Sequence, residues 1–211
     1  MAFPVPIAST LTGASVRQLA YWRRETASAP PLLEPAAKVG GRYLYSWADV
    51  MALRSIVYLR AEKSLPKIRR AVETLRGLEA NEWDHLSQYQ LVRTAETIVV
   101  RTPKGDLLDL ERAPGTVLDE VLMQDVLAPF QTRSGAEVPD FRRPRPHLRV
   151  DPAVLGGYPV VVGSRVPFDV VAALADDGAP AADVVRVYPA VKTAEAVSDA
   201  QEFAHLVARV A

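Results

Sequence analysis

The sequence predicts a mainly α fold with small β additions, and three observations predict it. Apolar residues recur at steps of three and four along several stretches, the period of a helix with one buried face. The β-branched or aromatic runs, at 42–45, 97–101 and 160–162, are only a few residues long. Seventeen prolines and eleven glycines cut the chain into short elements. These signals divide the chain into a helical unit with a β wing (1–80), a hairpin-containing middle segment (81–138), a Pro/Arg-rich linker (139–149) and a C-terminal three-helix bundle (150–211). With 49% hydrophobic residues and 24% charged, the chain can bury a core. The absence of cysteine excludes a disulfide framework and a thiolate metal site. No stretch approaches the roughly 18 apolar residues of a membrane span, and the first residues lack the basic region of a secretory signal. A cytoplasmic protein with no membrane partner is expected.

Taken in order, residues 4–12 carry Val5, Ile7 and Leu11 at helical spacing, and Gly13-Ala14 is a turn. Ser15 can cap a second helix by accepting a backbone N–H two or three residues on. In that helix Val16, Leu19 and Ala20 form one apolar face, while Arg17, Tyr21 and Arg24 fall along another. The spacing reads as a helix-turn-helix, in which the second helix enters the major groove of DNA. A guanidinium, a phenol and a second guanidinium suit phosphate oxygens and base edges. The same pattern also describes an ordinary amphipathic helix with a solvated basic face.

Residues 26–41, with three prolines and Gly40-Gly41, read as a loop. Arg42-Tyr43-Leu44-Tyr45 reads as a wing strand, and Ser46 as the cap of a third helix bearing Val50, Leu53 and Val57. Lys63-Ser64 breaks that helix. A fourth carries Leu65, Ile68, Val72 and Leu75 inward and Lys67, Arg70 and Arg76 on its other side. Charge supports a polyanion partner at this end. Residues 11–76 hold 12 Lys and Arg against 5 Asp and Glu, leaving 13 against 20 for the rest of a chain that is neutral as a whole.

The run Ser15-x-Arg17-x-Leu19-x-Tyr21-Trp22, the glycine-rich wing ending in Leu44-Tyr45-Ser46, and Asp49-x-x-x-Leu53-Arg54 resemble the DNA-binding domain of MerR-type winged regulators over about 70 residues. The resemblance implies groove and backbone contacts from Arg17 and Tyr21 in the second helix and sets Arg42 near the wing arginine; Ser15, Gln18, Arg24, Tyr43 and Lys67 complete the candidate DNA-binding residues. In that family the wing places Tyr before Arg; here the order is Arg42-Tyr43. The long coiled-coil helix of the family does not follow, and no effector domain is evident.

Residues 79–93 read as a polar connector. Residues 97–101 and 107–110, either side of Thr102-Pro103-Lys104-Gly105, read as a β-hairpin. Thr116 and Asp119 suit the capping box of a helix that Pro129 ends. Seven acids gather here: Glu96, Asp106, Asp109, Glu111, Asp119, Glu120 and Asp125. They fit a solvated acidic surface, with metal-dependent phosphodiester cleavage as a remote reading. The middle segment is apolar enough to serve as a homodimer surface. In the linker, Arg142, Arg143, Arg145 and Arg149 among prolines form a basic, extended stretch suited to nucleic acid, to an acidic partner or to a plain tether.

The pattern Gly156-Gly157-x-Pro159-Val160-Val161-Val162-Gly163-Ser164-Arg165-Val166-Pro167 reads as strand, glycine turn and strand. A helix follows from Phe168 with Gly178 as its stop, then a short one at 180–187, then a last one from Thr193 with Val197, Ala200, Phe203 or Ala204, and Val207 inward. With Asp183-Val184 and Tyr188-Pro189, this stretch resembles a small domain of VapB-like antitoxins from toxin–antitoxin pairs. The resemblance implies a PIN-domain ribonuclease toxin as partner, silenced by the antitoxin, which also represses its own operon. An arginine that enters a carboxylate cluster competes with its metal. Toxin-binding candidates are therefore Arg142, Arg143, Arg145 and Arg149, with Arg165, which could instead fix its own turn. No P-loop or nucleophilic triad is visible, and His85, His147 and His205 lack zinc-site spacing. An antitoxin and autorepressor is expected, with no enzyme activity, cofactor or metal. The alternative is a stand-alone transcription regulator with a ligand-sensing C-terminal domain.

Overall fold

The computed structural model describes residues 2–26, 29–78, 90–93, 98–101, 107–109 and 124–210. These form a mainly helical molecule with small antiparallel sheets. Strand β1 (Phe3–Pro4) leads into α1 (Val5–Thr12), which Gly13 ends in the left-handed region at φ 75°. Hydroxyls lock this turn: Ser9 Oγ donates to the Ala14 carbonyl (2.6 Å), and Thr12 Oγ1 accepts the Ala14 N–H (3.2 Å). Helix α2 (Val16–Trp22) opens on a reciprocal capping box. Ser15 Oγ accepts the Gln18 N–H and Gln18 Oε1 accepts the Ser15 N–H.

The wing is the hairpin of β2 (Ala37–Val39) and β3 (Arg42–Tyr45), with β1 on the far side of β3. Helix α3 (Trp47–Leu59) starts on a second capping box, Ser46 with Asp49. The buried Asp49 carboxylate also accepts the Ala36 N–H (3.0 Å), which ties the wing's entry to α3. Helix α4 (Leu65–Leu78) follows the break at Lys63-Ser64. Leu11, Leu19, Trp22, Leu53, Ile56 and Ile68 close the core of this unit.

In the middle segment, β5 (Ile98–Arg101) and β6 (Leu107–Asp109) form the expected hairpin. Strand β4 (Gln90–Arg93), within the stretch read as a connector, pairs with β5 and lies beside α3. Its four residues show too little alternation to identify a strand; the partner strand supplies the pattern. The turn at 102–105, the expected capping box and, among the acids, Glu96, Asp106, Glu111, Asp119 and Glu120 lie outside the described residues. Helix α5 (Gln124–Leu127) stops short of Pro129. Strands β7 (Phe130–Gln131) and β8 (Glu137–Val138) make a second small hairpin.

Residues 139–149 are extended but not solvated throughout. Phe141 is fully buried, its ring 5.0 Å from that of Trp47, and β9 (Leu148–Arg149) pairs with β10 (Val160–Val161). Between the prolines and arginines stand Phe141, Leu148 and then Val150, and burying these three outweighs the composition around them. After β10 the chain turns tightly and enters α6 (Phe168–Asp176), α7 (Ala181–Val187) and α8 (Ala194–Val210). Thr193 Oγ1 accepts the Ala196 N–H at the start of α8. Phe168, Val171, Val184, Val197, Ala200 and Phe203 fill the bundle. Helix α8 packs on α1 as well as on α6, so one continuous core runs from the N-terminal helices to the C-terminal bundle. Among the described residues no helix is long and apolar enough to cross a membrane.

Candidate nucleic-acid interface

The capping box fixes where α2 begins, and that sets which side chains face outward. Arg17 and Tyr21 are exposed on it, as their i, i+4 spacing requires, whereas Arg24, expected one turn further along the same face, is exposed beyond the helix, which ends at Trp22 with Arg23 as its C-cap. Tyr21 remains 49% exposed while the Arg69 guanidinium of α4 lies 5.7 Å from its ring centroid. Arg69 also donates to the Pro30 carbonyl (3.2 Å), so α4 holds both α2 and the loop behind it. Trp22 anchors that loop from the other end, its carbonyl accepting the Leu32 N–H at 2.7 Å.

The wing is fastened to α2 by a stack. Arg23, at the C-terminal end of the helix, lies 4.0 Å from the centroid of the Tyr43 ring, and Lys38 of β2 lies 5.0 Å from it. The Lys38 ammonium, with the Arg23 guanidinium second, holds the Tyr43 phenol below its ordinary pKa. Arg42 is exposed beside the Gly40-Gly41 tip, where both glycines take positive φ. Lys67 is exposed on α4. A basic strip therefore runs from α2 across the wing, relieved by Glu25 and Glu34 in a small cleft next to Lys38 and Tyr43. Ser15 and Gln18 are committed to capping each other; Gln18 retains its NH2 as a donor.

Arg23, Lys38 and Arg69 were not among the residues singled out from sequence. Arg23 and Tyr43 are twenty positions apart, and nothing local signals that they stack. Beside the strip, the face of α2 looks across a cleft of about 670 Å³ at Ser134, Ala136, Glu137, Leu206 and Val210, from the β7–β8 hairpin and the end of α8.

The arginines of the second half lie elsewhere. Arg143 and Arg145 line a cleft of about 690 Å³ with Pro144, Pro146 and Phe130. Arg145 faces Glu202 (3.7 Å) and Arg149 faces Asp151 (3.5 Å). Arg142, Arg143 and Arg165 are exposed and pair with no carboxylate among the described residues. Ser164 closes the Arg165 turn by itself, its hydroxyl donating to the Val161 carbonyl and accepting the Val166 N–H. His147 Nδ1 meets Asp199 at 2.7 Å and His205 meets Asp176 at 3.3 Å, each a link onto or from α8. Among the described residues no three His, Asp or Glu side chains converge as a metal site would.

Comparison with known proteins bears on both halves. Residues 5–75 match the family described as MerR HTH family regulatory protein, and residues 148–204 match DUF433, a family of unknown function. Uncharacterized HTH-type transcriptional regulators of Mycobacterium bovis and Mycobacterium tuberculosis are 32% identical over 106 residues, covering 50% of this chain and 45% of theirs. The chain thus spans about half the length of the curated relatives it matches. The crystal structure of Rv2018 from Mycobacterium tuberculosis superposes with a TM-score of 0.52 at 14% identity, over 94% of this chain and 96% of that one. At that identity the likeness concerns the fold, and it extends through both halves. Residues 5–75 are accordingly similar to MerR-type helix-turn-helix domains, and residues 148–204 to DUF433.

Proposed function

We propose that the protein is the antitoxin and autorepressor of a toxin–antitoxin pair, binding operator DNA through α2 and the wing and an acidic PIN-domain ribonuclease through its C-terminal half. The DNA reading rests on one observation, the exposed Arg17 and Tyr21 face of α2, with Arg24 exposed just beyond its end, held beside Arg42 by the Arg23–Tyr43–Lys38 stack. A seven-residue helix reads few base pairs, so the operator is near-palindromic and the protein binds as a homodimer. Arg17→Ala weakens binding to the upstream DNA by about 1–3 kcal/mol and relaxes sequence preference, whereas Lys67→Ala weakens all duplexes alike and lowers the salt slope by about one. Fluorescence anisotropy across a salt series measures both, and sedimentation of the same samples gives the stoichiometry. Equal loss on operator and random DNA for Arg17→Ala would contradict base reading.

The toxin reading is supported by the antitoxin resemblance of the C-terminal pattern and by three exposed arginines, Arg142, Arg143 and Arg165, that pair with no carboxylate among the described residues. The double variant Arg142→Glu/Arg143→Glu is expected to abolish rescue of growth from the co-expressed toxin while retaining DNA affinity, because reversing exposed charges leaves the core intact. Unchanged rescue would rule those two arginines out. The alternative, a stand-alone regulator that senses a metabolite, is favoured by the cleft between α2 and α8. Affinity purification from the native host separates the two: an antitoxin brings down the protein encoded beside it.

A further inference from the structure

Adjoining the cleft that Arg17 and Tyr21 of α2 line, a smaller cavity of about 260 Å³ is lined by Gly13, Gln18, Val57, Arg60, Thr132, Arg133 and Ser134. Its walls are the α1–α2 turn, the C-terminal end of α3 and the tip of the β7–β8 hairpin. Two guanidinium groups share it, and neither meets a carboxylate among the described residues. Glu137, which lines the adjoining cleft with Arg60, forms no ion pair with it. Arg60 carries an Nη1 that is buried without a hydrogen-bond partner. Its guanidinium is held below its ordinary pKa by burial and then by the Arg133 charge. A like-charged pair with an orphaned donor in a partly enclosed space is unfavourable as it stands, and an anion between the two groups removes both costs at once.

The remaining lining supplies further donors. Gln18 has its Oε1 occupied by the Ser15 N–H and its NH2 uncommitted. Thr132 Oγ1 accepts the Ala136 N–H (3.1 Å) and shares a hydrogen with Ser134 Oγ (3.0 Å). Two hydroxyls bound to each other use one hydrogen between them, so one O–H is left to donate. Guanidinium, amide and hydroxyl donors thus line one cavity with no carboxylate of the described residues paired to either arginine.

We propose that this cavity binds an oxyanion, a phosphate or carboxylate group, between Arg60 and Arg133. Two sources have that chemistry: a backbone phosphate of bound DNA and the acidic group of a small molecule. Because Gly13 and Gln18 belong to the turn and first residues of α2, an anion here braces the reading helix against the hairpin.

The full-length protein is titrated with sodium phosphate, sodium sulfate and sodium chloride at equal ionic strength, and thermal unfolding is followed. Phosphate and sulfate are expected to raise the midpoint saturably above chloride. Arg133→Gln, an exposed position that leaves the fold alone, and Arg60→Gln should each raise the half-saturating concentration about tenfold, the ratio carried by one lost charge-assisted hydrogen bond. No excess over chloride in the native protein, or the same excess in both variants, overturns the site. Duplex DNA binding, measured in phosphate-free buffer, then identifies the source. If DNA supplies the phosphate, Arg133→Gln lowers the salt slope by about one and inorganic phosphate competes with DNA. If a free anion is the ligand, Arg133→Gln binds DNA as the native protein does and phosphate leaves or improves that binding. The stabilisation arm is independent of DNA, so a protein that binds none still tests the site.

Discussion

Arg54→Met is expected to destabilise the protein by about 3–5 kcal/mol, the range for breaking a buried charged network from one side. Arg54 is fully buried. Its Nε donates to the Val126 carbonyl and its Nη1 to that of Leu11, while Nη2 reaches the carbonyls of Leu127, Ala128 (2.8 Å) and Pro139 (2.8 Å). The rings of Phe130 and Phe141 lie 5.0 and 5.4 Å from the guanidinium carbon. Burial lowers its pKa to about 10, against the opposing pull of Asp140, so it stays charged at neutral pH. Replacing a buried ion pair with apolar residues is often tolerated because both partners leave together. Here the acceptors are backbone carbonyls, which no side-chain substitution removes, and each one left buried and unpaired costs about 1–3 kcal/mol. Arg54→Lys should cost less but remain harmful, since three donors on one nitrogen cannot span five carbonyls. Urea denaturation gives the comparison, and a loss below about 1 kcal/mol for Arg54→Met would contradict the network's role.

Gly157→Ala is expected to cost about 2–4 kcal/mol, from overpacking together with left-handed backbone strain. Gly157 has φ +88°, and a Cβ there would stand 2.2 Å from Trp47 Cε3 and 3.3 Å from Phe3 Cζ. Trp47 is the first residue of α3 and its indole is packed from another side against Phe141, which restricts the room it has to move aside. Gly178 provides the control. At φ +90° with nothing within 4 Å of its Cβ position, its alanine variant carries the strain without the clash. The excess of Gly157→Ala over Gly178→Ala in denaturation midpoint measures the fit between the two halves. Trp47→Leu should recover part of that excess, a coupling that a double-mutant cycle resolves.

What the sequence made legible follows the range of the forces involved. Caps are local, three residues across, and both Ser15 and Ser46 could be recognised as such; so could the glycine stop at Gly178 and the inward Val197, Ala200 and Phe203 of α8. The outward face of α2 follows from the same periodicity. Strands β4 and β9 have meaning only through partners, and two- or four-residue strands carry no period of their own. Arg54 stands in the motif that marks the N-terminal domain, yet its acceptors lie 43 to 85 positions away. Gln18 shows a different limit: its Oε1 is taken by the Ser15 cap, which leaves its NH2 as the group free to reach a ligand.

The acceptors of Arg54 and the cover of Trp47 also bear on the order in which a ribosome delivers them. A nascent chain that has emerged only through α4 already contains the whole reading helix and its wing. It lacks residues 126–139, which satisfy Arg54, and residues 141 and 157, which cover Trp47. Until they arrive, a charged group that the finished molecule buries and an indole that it half covers stand in water, and the contacts that close them span long loops that form slowly. The helix-turn-helix half is therefore completed by the other half, and an unfinished or truncated product holds that half with part of its core uncovered.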